Sequence, residues 1–122
     1  MTLLTRVIPL LHMTNSATTE DFYCRQLGFT LAFVNRPGDR RPDPCYMGVM
    51  REGVELHLSS HAGDAVIGGA VNIRTTDVDE LHREFVGRGV AIHVAPVDQT
   101  WGLREMYVRD PDGNSIRFQA II

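Results

Sequence analysis

The string Glu55-Leu56-His57-Leu58-Ser59 sets a carboxylate, an imidazole and a hydroxyl at alternate positions of a predicted strand. Strand side chains alternate between faces, so these three share one side while Val54, Leu56 and Leu58 share the other, which reads as core. Such a row suits proton transfer or the hydrogen bonding of a polar ligand. The same parity near the C-terminus groups Ser115, Arg117 and Gln119 opposite Ile116, Phe118 and Ala120. Asn72 and Arg74 alternate with Val71 and Ile73, which suits them to reading a polar or anionic group; exposed strand polarity is the plainer alternative. Glu105, alternating with Leu103 and Tyr107, has the chemistry of a base or of a partner for an arginine. Phe33, Tyr46 and Tyr107 are aromatic candidates for either a cleft or the core. His82 and His93 carry no functional expectation.

The composition narrows the chemistry further. All 12 cationic side chains are arginines, so Schiff-base and lysine-nucleophile reactions are excluded. Cys24 and Cys45 are too few for a disulfide framework and lack metal-ligand spacing, and both read as reduced packing residues. The formal charge of −3 is spread without acidic or basic blocks, leaving no footprint for nucleic acid or an anionic membrane. Val7 to Met13 is too short to span a bilayer and lacks the features of an export signal, so a cytoplasmic location is expected.

Positioning these groups requires a scaffold, and 122 residues suffice for one domain that buries roughly two thirds of its unfolded surface. A strand is predicted over Arg6 to Leu11, then a helix capped by Asn15 and stopped at Gly28. Strands follow near Phe29 to Asn35, Cys45 to Met50 and Val54 to Ser59. After a glycine- and alanine-rich connector, residues 61–69, the same order returns. It comprises a strand over Ala70 to Thr75 and a helix opened by Asp77 with Glu80 and ended by Gly89, with strands near Val90 to Val94, Leu103 to Arg109 and Ser115 to Ile121. The chain therefore reads as a duplicated βαβββ unit, modules 1–60 and 70–122, offset by about sixty residues. Asp110-Pro111-Asp112-Gly113-Asn114 is a hairpin turn with no catalytic role. The long loop RPGDRRPDPC between the second and third strands has the make-up of a lid or of a plain connector.

The strings WGLREMYVRDPDGNSIRF, EDFYCRQLGF, VELHLSSHAGD and TDVDELHREF together resemble the glyoxalase/bleomycin-resistance/dioxygenase superfamily, the vicinal oxygen chelate fold. The Trp101-Gly102 pair is most similar to the bleomycin-resistance branch. The resemblance implies an α+β domain of two βαβββ modules forming a cupped mixed sheet with helices on its convex side. It also implies a homodimer whose modules share each cleft. Trp101, in a loop before the seventh strand, would then wall the cleft and stack on a flat ligand, or else serve as a packing anchor or dimer contact.

Metal-dependent members draw four ligands from the first and last strand of each module. Carried over position by position, those places fall on Ile8, Glu55, Ala70 and Arg117, of which only Glu55 could ligate. A divalent ion needs about three or four converging N, O or S donors at about 2.0–2.2 Å. The resemblance thus implies a chain without the inherited metal site and without a cofactor. Glu55 and Arg117, taken as equivalent positions, are expected to meet as an ion pair where relatives hold their metal, or else to remain solvated and unpaired. A relocated metal site of Glu55, His57 and His12 or His61 is the weaker alternative. The expected function is sequestration of an antibiotic or other aromatic, polar molecule in a cleft that includes Phe33, Tyr46, Glu55, His57, Ser59, Asn72, Arg74, Trp101, Glu105, Tyr107 and Arg117. Arg74 and Arg117 count against cationic glycopeptides. The alternatives are a metal-dependent glyoxalase-like or dioxygenase enzyme, a metal-free acid/base enzyme using Glu55 or Glu105, and a structural or regulatory module.

Overall fold

The computed structural model describes residues 1–122. In the first module β1 (Leu10–His12) leads into α1 (Ser16–Glu20), whose last turns, Asp21–Gln26, are wound as a π-helix. The strands β2 (Thr30–Asn35), β3 (Tyr46–Arg51) and β4 (Val54–Ser59) follow. The second module repeats the order with β5 (Ala70–Arg74), α2 (Val78–Gly87), β6 (Ile92–Asp98), β7 (Leu103–Arg109) and β8 (Ser115–Ile121). No helix is long and apolar enough to cross a membrane.

Each helix starts where its sequence provides a cap. The Asn15 side chain accepts from the Thr18 backbone and the Asp77 side chain from that of Glu80, satisfying donors that have no intrahelical partner. Gly28 and Gly89 then leave the helical conformation at positive φ (78° and 80°), which costs a residue without Cβ little.

The strands form two mixed ladders, β1-β4-β3-β2 and β5-β8-β7-β6, each closed by one parallel pair. Their apolar faces join Phe22, Tyr23, Leu27 and Phe85 from the helices in one contiguous core of 20 buried residues. The modules are also tied by polar contacts. The buried Tyr23 hydroxyl donates to Asp110 (2.8 Å), the Asn114 amide donates to the His12 carbonyl (2.8 Å), and Arg51 grips Glu84 through both terminal nitrogens (2.8 and 2.9 Å). The DPDGN turn is thus a hairpin that also fastens one module to the other.

Two strands depart from their predicted bounds by more than one residue. The first begins at Leu10 rather than Arg6, because Pro9 has no N–H to donate and contributes only its carbonyl, to the His57 amide. The sixth begins at Ile92 and runs past Pro96 to Asp98, which an edge strand allows.

Candidate ligand-binding faces

On the outer face of the first sheet, β4 and β3 bring Glu55, His57 and Tyr46 into line. The Tyr46 hydroxyl lies 2.7 Å from His57 Nδ1, and His57 Nε2 lies 2.6 Å from Glu55 Oε2. An ionised carboxylate only accepts, so Nε2 carries the proton toward Glu55, and a neutral ring leaves Nδ1 to accept from the phenol. Arg6 reaches the other carboxylate oxygen at 3.1 Å. Phe33 packs edge-on to the His57 ring (5.1 Å between centroids) and parallel to Tyr46 (6.1 Å). It can do so because position 48 is glycine: a Cβ there would stand 2.4 Å from the Phe33 ring. Burial, with lesser pushes from the Asp64 and Glu55 charges, raises the Tyr46 phenol above its ordinary range.

The outer face of the second sheet is built differently. Glu105, on β7, is 2% exposed; its carboxylate accepts from the Tyr107 hydroxyl (2.9 Å) and, through a short bond, from the Gln119 amide of the neighbouring β8. Arg74 donates to the Gln119 carbonyl oxygen at 3.2 Å. The Arg117 guanidinium sits over the Tyr107 ring, 4.9 Å from its centroid, in cation–π geometry. Burial and the Glu105 hydrogen bond and charge push the Tyr107 phenol up, against an opposing pull from Arg117.

The strand registers revise the correspondence between the modules. Leu58 pairs with Leu11 and Phe118 with Ile73, all four of them core residues, and the helix caps Asn15 and Asp77 stand the same distance beyond Leu11 and Ile73. Counting from these anchors, Arg117 corresponds to His57, and Glu55 corresponds to Ser115. The last-strand ligand place in the first module therefore moves from Glu55 to His57, whose two ring nitrogens are engaged by Tyr46 and Glu55. With Ile8 and Ala70 lacking donors and Arg117 a permanent cation, the set does not fit a divalent ion.

Several expectations need correction. Within one chain Glu55 and Arg117 lie on separate sheets, Glu55 bound by Arg6 and His57 and Arg117 stacked on Tyr107; the expected pair spans a cleft shared between two chains and is not a contact of one. The relocated metal site is not assembled either, since no three His, Cys, Asp or Glu side chains come together. Ser59 is fully buried beneath the connector, donating to Asp64 (2.7 Å) and accepting from the His61 backbone, so it does not face an open cleft. Glu105 pairs with a phenol and an amide, not with an arginine. Trp101 is 61% exposed in the β6–β7 turn, which removes the reading as an anchor in the chain's own core. The RPGDRRPDPC loop is pinned at its end, where Asp43 accepts from Ser60 (2.6 Å).

Phe33, Tyr46, Glu55 and His57 are thus brought together on one sheet, and Arg74, Glu105, Tyr107 and Arg117 on the other, with Asn72 opposite Arg117 in the β5–β8 register. Arg6 was missed. Its signal was the same parity, because Arg6, Ile8 and Leu10 alternate toward the face that carries Glu55. A cavity between the modules, lined partly by Leu27, Phe29, Ile73 and Phe118, had no sequence signal, since its walls come from segments far apart in the chain.

A family model described as glyoxalase superfamily protein matches residues 1–121. No curated protein matches the sequence. Among solved structures, the bleomycin resistance determinant encoded on transposon Tn5 is 26% identical, with 97% of this chain and 98% of that one covered and a TM-score of 0.77. TioX from Micromonospora sp. ML1 is 23% identical (97% and 99% covered, TM-score 0.76). A glyoxalase/bleomycin resistance protein/dioxygenase superfamily member from Sphaerobacter thermophilus DSM 20745 is also 23% identical (97% and 98% covered, TM-score 0.76).

Proposed function

The chain belongs to the glyoxalase superfamily, and on that premise we propose that it is a metal-independent small-molecule-binding protein, working as a homodimer. The face of β3 and β4 of one protomer and the face of β7 and β8 of its partner close on a flat aromatic ligand bearing polar or acidic groups. The observation that carries this reading is the contrast between two half-sites in one chain. One offers aromatic edges and a hydrogen-bonding row, Phe33, Tyr46 and His57; the other offers the Arg117 guanidinium stacked on Tyr107. Recognition without chemistry needs only a concave surface with a few placed polar groups, which two such faces would enclose between protomers. Exposed Leu4, Val7, Trp101 and Ile121 supply apolar surface for a second copy to cover.

Sedimentation should give a mass twice the 13.7 kDa of the chain. Calorimetry should show heat with an acidic planar aromatic such as a naphthalenesulfonate, weakened about tenfold by Arg117→Gln. A bleomycin-type glycopeptide tests the drug-sequestering form; absence of heat removes that ligand. A monomer that binds no planar aromatic overturns the reading, and stoichiometric nickel, zinc, manganese or iron in the purified protein overturns metal independence.

The Tyr46–His57–Glu55 line supports a second reading, metal-free acid/base catalysis, in which Tyr46 exchanges a proton with substrate and His57, oriented by Glu55, takes it up. Under that reading Tyr46→Phe abolishes turnover of a substrate whose binding it leaves intact.

A further inference from the structure

Beside the edge strand β5, where Arg74 leaves the second polar face, a cavity of about 320 Å³ opens between the modules. Leu27 and Phe29 of the first module and Ile73 and Phe118 of the second line it, each less than one-tenth exposed, so the cavity exists only because the modules pack together. Its volume is that of a site for a compact organic molecule.

Two guanidinium groups stand among its lining residues, and they differ in what they have left to offer. Arg51 is spent: its nitrogens bind both oxygens of Glu84, the Glu52 carboxylate and the Leu27 carbonyl. Arg74 makes one hydrogen bond, from Nε to the neutral Gln119 oxygen, and has no carboxylate in ion-pair range. Its terminal nitrogens retain the fork geometry that matches a carboxylate. Thr76 adds a hydroxyl to the lining.

We propose that this cavity is a second binding site that takes a compact apolar monocarboxylate, its hydrocarbon body against Leu27, Phe29, Ile73 and Phe118 and its carboxylate on Arg74. One uncommitted cation calls for one negative charge. A dianion would bring its second charge beside Glu52 and Glu84 without a partner.

The test uses 3-phenylpropionate and its alcohol, 3-phenylpropanol, titrated into the full chain while the amide and methyl resonances of Leu27, Ile73 and Leu81 are followed by NMR. The acid should bind about tenfold more tightly than the alcohol. Arg74→Gln should erase that preference without weakening the alcohol, Arg74→Lys should restore part of it, and Arg109→Gln, at an exposed arginine ending β7, should leave it unchanged. Equal affinities for the two probes, a preference that survives Arg74→Gln, shifts centred on Tyr107 and Arg117, or no shifts at millimolar probe would each overturn the assignment. Failure here leaves the dimer-cleft reading standing, because that reading concerns other residues and is read by other probes.

Discussion

The outer faces of the two sheets descend from the same βαβββ plan, yet they handle a carboxylate in opposite ways. Glu55, on the inner strand β4, takes a cation from Arg6 and an imidazole from His57, and its side chain keeps 11% of its surface open to solvent. Glu105 lies in the middle of its face, walled from water, and has only neutral donors, Tyr107 and Gln119. A buried acceptor that loses a donor bears the whole desolvation cost, whereas an exposed pair exchanges one partner for water. The second face should therefore be rigid and intolerant of change, and the first adaptable.

The largest effect should come from Gln119→Leu, which leaves Glu105 short of a donor and lowers stability by about 1–3 kcal/mol in urea unfolding. Adding Glu105→Leu should recover much of that loss, because it removes the buried carboxylate itself and leaves only the half-buried Tyr107 hydroxyl and the exposed Arg74 to turn to water. If Gln119→Leu costs no more than a change at Arg6, the contrast between the faces fails.

Tyr46→Phe, on the first face, deletes one half-buried hydrogen bond and should cost about 0.5–1.5 kcal/mol. His57 then keeps its Glu55 partner, and its Nδ1 is free to turn to water.

The tyrosines sharpen the comparison at high pH. Each phenol is raised above its ordinary value of 10.0, Tyr23 most deeply because it is buried beside Asp110. The folded state thus holds these protons more tightly than the unfolded chain does. The stability they contribute is complete below pH 10.0 and is lost as pH climbs through the raised values. Ultraviolet titration should show Glu105→Gln bringing Tyr107 part of the way down while Tyr46 stays put. Equal movement of both would mean that the faces communicate.

The smallest effect belongs to Arg6→Ala. The arginine side chain is 63% exposed, so its loss should shift the denaturation midpoint by a few tenths of a kcal/mol at most, and not at all in about 1 M salt.

Much of the scaffold could be read before the fold was seen, because caps, glycine stops and strand parity are local. Asn15, Asp77, Gly28 and Gly89 act where their chemistry predicts, and the alternation in β4 and β8 separates Leu56, Leu58, Ile116 and Phe118 from the polar rows. Parity also named most residues of both outer faces. It failed at Ser59, which points the expected way but is roofed by the connector; the family resemblance, in turn, equated Glu55 with Arg117 where the register matches His57 with Arg117. Register depends on partners distant in the chain, and the path of residues 61–69 over Ser59 depends on how the connector folds back, which no strand alternation encodes.

The sequence by itself determined the duplicated plan and the absence of lysine chemistry, which follow from residue type and periodicity and need no neighbours. The ligand positions were implied by the family resemblance, and one of them moved once the strands were paired. Only the tertiary structure decided that Glu55 turns to Arg6 and His57, that Glu105 is sealed under Tyr107 and Gln119, and that Arg74 is left uncommitted beside an apolar cavity. Each of those outcomes is a choice among competing partners, and distance makes the choice once the two modules have packed.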